Sequence, residues 1–161
     1  MVSMLGRMLR MFGLLLAASA SMPAMSSPPA APCRFEAPAD LDATPARWLG
    51  GCRHGAADGL GIVRAGTAEP YAFFAGRMQE GRPAEGLLML HEGGLMVAVR
   101  FDAALRVVSS DGLRPNEDDR VFAQARAAAL ETAARLRQEG NQASAAYYAA
   151  LAQRITESRP E

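Results

Sequence analysis

Apolar positions divide the chain into three regimes. Near the N-terminus they form one short unbroken run; in the middle they come in brief runs punctuated by glycine; toward the C-terminus they recur at helical spacing. From residue 46 the middle runs are too short and too interrupted for helices, and they predict short antiparallel strands. The clearest predicted hairpin joins residues 87–91 to 95–101 through Glu92, Gly93 and Gly94. Along its second strand Leu95, Val97, Val99 and Phe101 alternate with Met96, Ala98 and Arg100. Asp102, Ala103 and Ala104 then turn the chain into a last strand at 105–109. One face of the resulting sheet is apolar and needs a cover.

The C-terminal regime predicts two helices. Asn116 is placed to cap the first, with acidic Glu117, Asp118 and Asp119 in its first turn and Asp119 in a capping-box position. Phe122, Ala125, Ala129, Ala133 and Leu136 form its apolar stripe, and Glu131 and Arg135 are spaced as a surface ion pair. The helix runs to about Gln138, Gly140 stops it, and Asn141 caps a second helix to about Glu157. That helix spaces Tyr147, Tyr148, Leu151 and Ile155 along one side. Dense alanine lets the two helices approach closely, either on the open face of the sheet or against each other. The fold class is therefore α+β: an antiparallel β-meander over 33–109, then a helical hairpin over 110–161.

The first regime is of another kind. Arg7 and Arg10 precede the apolar run 11–20, which ends in Ala18, Ser19 and Ala20. This is the pattern of an export signal: a basic start, a short apolar core and a small-residue cleavage site. Ala24, Met25 and Ser26 offer a second cleavage site, and an uncleaved anchor is the alternative. Residues 21–32, rich in Ser, Pro, Ala and Met, read as a disordered linker. Cleavage after Ala20 removes two arginines and no acid, so charge gives the remaining chain no attraction to a membrane, and stable membrane insertion is not expected.

Composition narrows the function. The chain balances 17 basic against 17 acidic residues, which implies no polyelectrolyte partner and no nucleic-acid target. With 50% hydrophobic and 21% charged residues it can bury a core. Two Cys and two His are too few for the usual zinc or iron sites, and no cofactor is predicted. Both cysteines, Cys33 and Cys52, follow the export signal into a compartment where disulfides persist, so they are expected to pair.

The glycines also repeat. Trp48-x-Gly50-x-Cys52-x-x-Gly55-x-x-x-Gly59-x-Gly61 is echoed by Phe74-x-Gly76-x-Met78-x-x-Gly81. The physical logic is a hairpin: an aromatic residue that packs, a glycine where backbones approach, and a glycine in a turn that demands positive φ. These residues resemble the MORN (membrane occupation and recognition nexus) repeat, whose pattern is an aromatic, Gly, an aromatic, then Gly-x-x-x-Gly-x-Gly. The resemblance covers about 46–92, one and a half units. It implies stacked β-hairpins and a role in protein interaction or assembly, with lipid contact proposed for some members. Here Cys52 stands where the family has an aromatic residue, the second copy departs after Gly81, and the spacing of the copies implies an insertion near 65–69.

Catalytic patterns are weak. His54 lies beside Cys52 and four residues before Asp58, but a Cys–His pair needs a free thiol, and His54 reads as an exposed turn residue. His91 and Glu92 are adjacent and would point to opposite faces of a strand. Met78, Met89 and Met96 are spaced like core residues, and Trp48, Phe73 and Phe74 like packing residues. The reading is a periplasmic or secreted, non-catalytic protein-interaction or structural module of the cell envelope. It binds another envelope protein or itself through the sheet face or edge, or through Tyr147 and Tyr148. The alternatives are a small-molecule or lipid-binding protein and, behind it, an enzyme using His54, Asp58 or Glu92.

Overall fold

The computed structural model describes residues 32–160 except 115. The export signal at 1–20 and nearly all of the linker at 21–32 lie outside the described residues. Among the described residues nine strands come first: β1 (Ala46–Trp48), β2 (Cys52–Arg53), β3 (Ala56–Ala57), β4 (Gly59–Ala65), β5 (Ala72–Gln79), β6 (Arg82–Met89), β7 (Leu95–Ala98), β8 (Arg100–Phe101) and β9 (Val107–Val108). Two helices follow, α1 (Glu117–Gln138) and α2 (Gln142–Glu157). The main sheet has the order β1-β4-β5-β6-β7, with every pair antiparallel, and β2-β3 and β8-β9 form two-stranded ribbons. The α+β class is thus the observed one.

Both faces of the sheet are apolar because β4, β5 and β6 carry hydrophobic side chains at consecutive positions, the signature of a strand buried on two sides. Ile62, Phe73, Ala75 and Leu87 point to one face and pack against Phe122, Ala125, Ala129 and Ala133 of α1 and against Tyr148, Leu151, Ala152 and Ile155 of α2. The α1 stripe read from the sequence is this contact surface, and its alanines let the helix lie close to the sheet. Val63, Phe74, Met78 and Leu88 point to the other face. Fully burying a side chain of this size contributes about 1.5–3 kcal/mol.

That second face has a cover of its own, which corrects the expectation of an open sheet face. Cys33, Phe35 and Ala37 alternate inward along an extended N-terminal strap and pack on Trp48, Val63 and Phe74, with Leu41, Phe101 and Val107 completing the layer. The strap is held by backbone bonds: Arg34 donates to the Gly55 carbonyl at 2.9 Å, Glu36 to Gly81 at 2.8 Å and Ala39 to Leu105 at 2.9 Å. Cys33 is disulfide-bonded to Cys52, with Cα atoms 5.7 Å apart.

The glycine pattern has a geometric explanation. The Trp48 ring lies over Gly50 and Gly61, so a Cβ at Gly61 would stand 2.5 Å from the ring. The Phe74 ring covers Gly76 and Gly86 in the same way, and a Cβ at Gly86 would stand 2.5 Å from it. The two hairpin turns match as well. His54 and Gly55 have φ of 50° and 76°, Glu80 and Gly81 have 50° and 87°, and paired positive values define the two-residue turn that suits strand twist. The copies diverge at Pro83, whose missing N–H coincides with a register shift opposite Arg77 and Met78. The segment at 66–71 that separates the copies links β4 to β5.

Three local expectations are corrected. The strand expected at 95–101 bends at Val99, so Phe101 lies on the Met96 and Ala98 side, not the Val97 side, and its ring meets Phe74 edge-on at 5.7 Å. Asn116 adopts φ 65° and makes no side-chain cap; a residue in the left-handed region does not aim its side chain at the first turn as a cap does. Arg135 pairs with Glu139 at 3.8 Å rather than with Glu131. At the other end of α1 the Asn141 N–H reaches the Leu136 carbonyl and Gly140 that of Arg137, a Schellman closure around Gly140 at φ 82°. The Asn141 side chain then accepts from Ser144 N at 3.1 Å and starts α2, as the sequence predicts.

Candidate functional site

The chain has three tyrosines, and the fold brings all of them together. Tyr71 precedes β5 on the helix-facing side, and Tyr147 and Tyr148 lie in the second turn of α2. Phe73 joins them: its ring is 6.1 Å from Tyr71 and 6.3 Å from both Tyr147 and Tyr148, and Tyr147 meets Tyr148 edge-on at 5.3 Å. These are favourable aromatic geometries, which fix the corner where the β4–β5 loop meets the start of α2. Between them opens a cleft of about 250 Å³ lined by Arg64, Glu69, Tyr71, Ser144, Tyr147 and Tyr148.

Charge is distributed around the rings. The Arg64 guanidinium lies 4.6 Å from the centre of the Tyr71 ring and that of Arg154 5.5 Å from Tyr147, both cation–π distances. Glu69 supplies one carboxylate at the rim. The first turn of α2 adds the partial positive charge of a helix start and contains no acidic residue.

The two adjacent tyrosines have different fates. Tyr148 is 2% exposed and belongs to the core against Phe73, so of the pair read as partner contacts only Tyr147 reaches the surface. The Tyr148 hydroxyl is buried, with the Arg64 side chain facing it. Burial pushes both phenols above their ordinary pKa, against the opposing influence of Arg154 on Tyr147 and of Arg64 on Tyr148. Both are therefore neutral hydroxyls at physiological pH, able to donate and to accept.

A second, polar cavity of about 380 Å³ lies at the opposite end of the hairpins, lined by Arg34, Arg53, His54, Asp58 and Glu80. The structure brings His54 and Asp58 to the same cavity, as their spacing suggested, but Asp58 is engaged by Arg53 at 3.6 Å and by the Glu80 N–H at 3.4 Å. His54 is an exposed turn residue, and Cys52 is held in the disulfide. His91 and Glu92 sit in the β6–β7 turn, where both backbone N–H groups are donated to Asp42, at 2.7 and 3.2 Å. Trp48, Phe74, Gly50, Gly55, Gly59, Gly61, Gly76 and Gly81 build the hairpins and stand apart from the tyrosine cleft.

Sequence reasoning missed Arg64, Glu69 and Tyr71, which the implied insertion and its flanks contribute. The available signal was that the only other tyrosine of the chain lay beside that segment. Asp40 and Asp42 were missed too. Asp40 accepts from Val107 N at 2.6 Å, across 67 residues, and no local pattern announces a contact of that range.

Among the described residues no helix is long and apolar enough to cross a membrane. Compared with family models, curated proteins and solved structures, the chain matches none.

Proposed function

We propose that the protein is an exported, non-catalytic binding module that engages another envelope protein, or a second copy of itself, through the corner where α2 meets the β4–β5 loop. The observation that carries this reading is the convergence of Tyr71, Tyr147 and Arg64 at one surface cleft, with Arg154 over the Tyr147 ring. Tyrosine and arginine are the residues that dominate binding hot spots, because each presents a large apolar area with a polar end. The disulfide fits an oxidising compartment, and the N-terminal sequence supplies an address for it. In this reading the MORN-like units of Trp48 and Phe74 serve as the scaffold that holds the corner. The edge strands are poorer candidates, since β1 has three residues and β7 four.

Photo-crosslinking from a probe placed at the exposed Ala143, on the rim of the same cleft, in the exported fraction, alongside size-exclusion of the pure protein, tests the proposal. A discrete adduct or a dimer that disappears in Tyr147→Ala and persists in His54→Ala is expected. Identical behaviour of the two variants would refute it.

A further inference from the structure

We infer that the N-terminal strap is an exchangeable strand, and that its slot takes the same segment of a second copy of this chain once a thiol opens the Cys33–Cys52 bridge. The slot is distinct from the tyrosine cleft. Its walls are backbone: the Gly55 carbonyl accepts from the Arg34 N–H at 2.9 Å, the Ala57 N–H donates to the Arg34 carbonyl at 2.9 Å, and the Gly81 carbonyl accepts from the Glu36 N–H at 2.8 Å. Its floor is apolar, with Trp48, Val63 and Phe74 beneath Cys33, Phe35 and Ala37. Lifting 33–37 leaves those backbone groups without partners and the rings without cover, which is a template for an extended segment. The strap already fits that template, and every further copy of the chain carries the same strap. Exchange therefore rebuilds each contact that it breaks.

Two features confine the exchange to this segment. Behind it, Ala39 donates to the Leu105 carbonyl at 2.9 Å, Asp40 accepts from the Val107 N–H at 2.6 Å, and Asp42 accepts from the N–H groups of His91 and Glu92. These bonds hold 39–42 in place and make Pro38 the hinge, a residue with no N–H to leave unpaired. In front, the bridge is the lock, and its two ends differ in access: Cys52 is an exposed residue and Cys33 a half-buried one. A thiolate therefore attacks the Cys52 sulfur, the sulfur–sulfur bond breaks, and Cys33 leaves as a thiolate with the strap. Seated in the slot of a second copy, that Cys33 attacks the mixed disulfide on the copy's Cys52, forms a bridge between the chains and regenerates the thiolate. Two internal bridges become two bridges between copies, with no net oxidation or reduction.

The experiment mixes isotope-labelled and unlabelled wild-type protein, each with its bridge intact, and adds a catalytic amount of reduced glutathione. Free thiols are then alkylated, and the protein is digested without reduction by trypsin, which cuts at Arg34 and Arg47 and so separates the two cysteine peptides. Mass spectrometry should find Cys33–Cys52 pairs with one labelled and one unlabelled half, absent without glutathione and rising with protein concentration. Size exclusion should show a matching dimer whose indole emission equals that of the monomer, because each Trp48 again lies under a strap. Pairs of like isotope alone, Cys33–Cys33 or Cys52–Cys52 pairs among the products, or a dimer with shifted emission would overturn the inference. As a second measurement, Cys33→Ser and Cys52→Ser chains mixed under mild oxidation should give a disulfide-linked heterodimer that neither variant gives alone; equal dimer from either variant alone would count against exchange. Tyr147→Ala should exchange as the wild type does. Loss of the dimer in that variant would move the contact to the tyrosine corner and overturn the role of the strap, whereas the binding-module reading would stand.

Discussion

At the residue scale, glycine is required in this sheet for two separable reasons. Gly55 and Gly81 are turn residues at positive φ, whereas Gly61 and Gly86 have an aromatic ring where a Cβ would be. A Cβ at Gly86 would also stand 2.6 Å from the Ala75 carbonyl, which is backbone and cannot swing away. Gly61→Ala and Gly86→Ala should therefore each cost about 1–3 kcal/mol, the overpacking range, measured as a shift in urea midpoint. Asp42 makes a different contribution. Burial raises its pKa, but the N–H groups of His91 and Glu92 outweigh burial and leave it lowered. A lowered carboxylate pKa stabilises the fold above the unfolded value of about 3.9, and that stabilisation is lost as pH falls through the folded value. The stability deficit of Asp42→Asn should thus be full near neutral pH and close in acid below about pH 4, as read by thermal unfolding across pH.

At the element scale, the helices were legible and the strap was not. Phe122, Ala125, Ala129, Ala133 and Leu136 repeat at helical spacing over many turns, and a periodic signal of that length survives local noise. Gly140 and Asn141 were equally legible because their work is done with neighbours: the Schellman closure and the Ser144 cap are contacts within a few residues. Asn141→Ala should cost about 1 kcal/mol, while Asn116→Gly should cost little, since Asn116 caps nothing and glycine accepts its positive φ. Paired thermal midpoints of the two variants check the contrast. The strap at 33–42 had no such signal. Its inward residues Cys33, Phe35 and Ala37 alternate too briefly to be distinctive, and its partners at Gly55, Gly81, Leu105 and Val107 are distant in sequence. The tyrosine cleft was half legible for the same reason: Tyr147 was visible as a helix surface residue, while Arg64 and Tyr71 reach it only through the fold. The bend at Val99 inverted one strand end because a period of two has no memory of a skipped step.

At the scale of the whole molecule, the sheet is the middle of a sandwich, with the helices on one side and the strap with the β8-β9 ribbon on the other. The Cys33–Cys52 bridge ties the Cys33 end of the strap to β2 and links cysteines 19 positions apart. Removing it with Cys33→Ser and Cys52→Ser together should cost about 3 kcal/mol in the chain-entropy account, and the unreduced wild type should show no reactive thiol on titration. Loss should fall first on the strap, which relies on few backbone bonds, and later on β4, β5 and β6, which are buried on two sides.

The division of aromatic residues between the two layers has a practical consequence. Trp48 is the only tryptophan and lies under the strap, whereas every tyrosine lies on the helix side. The protein therefore carries two native optical reporters, one for each layer: indole fluorescence follows the strap, and phenol absorbance follows the helices. Coincident denaturation curves from the two would mean that the layers melt as one cooperative unit. In the bridge-free variant the indole curve should move to lower denaturant ahead of the phenol curve, so that one cuvette distinguishes the loosening of a layer from the collapse of the whole.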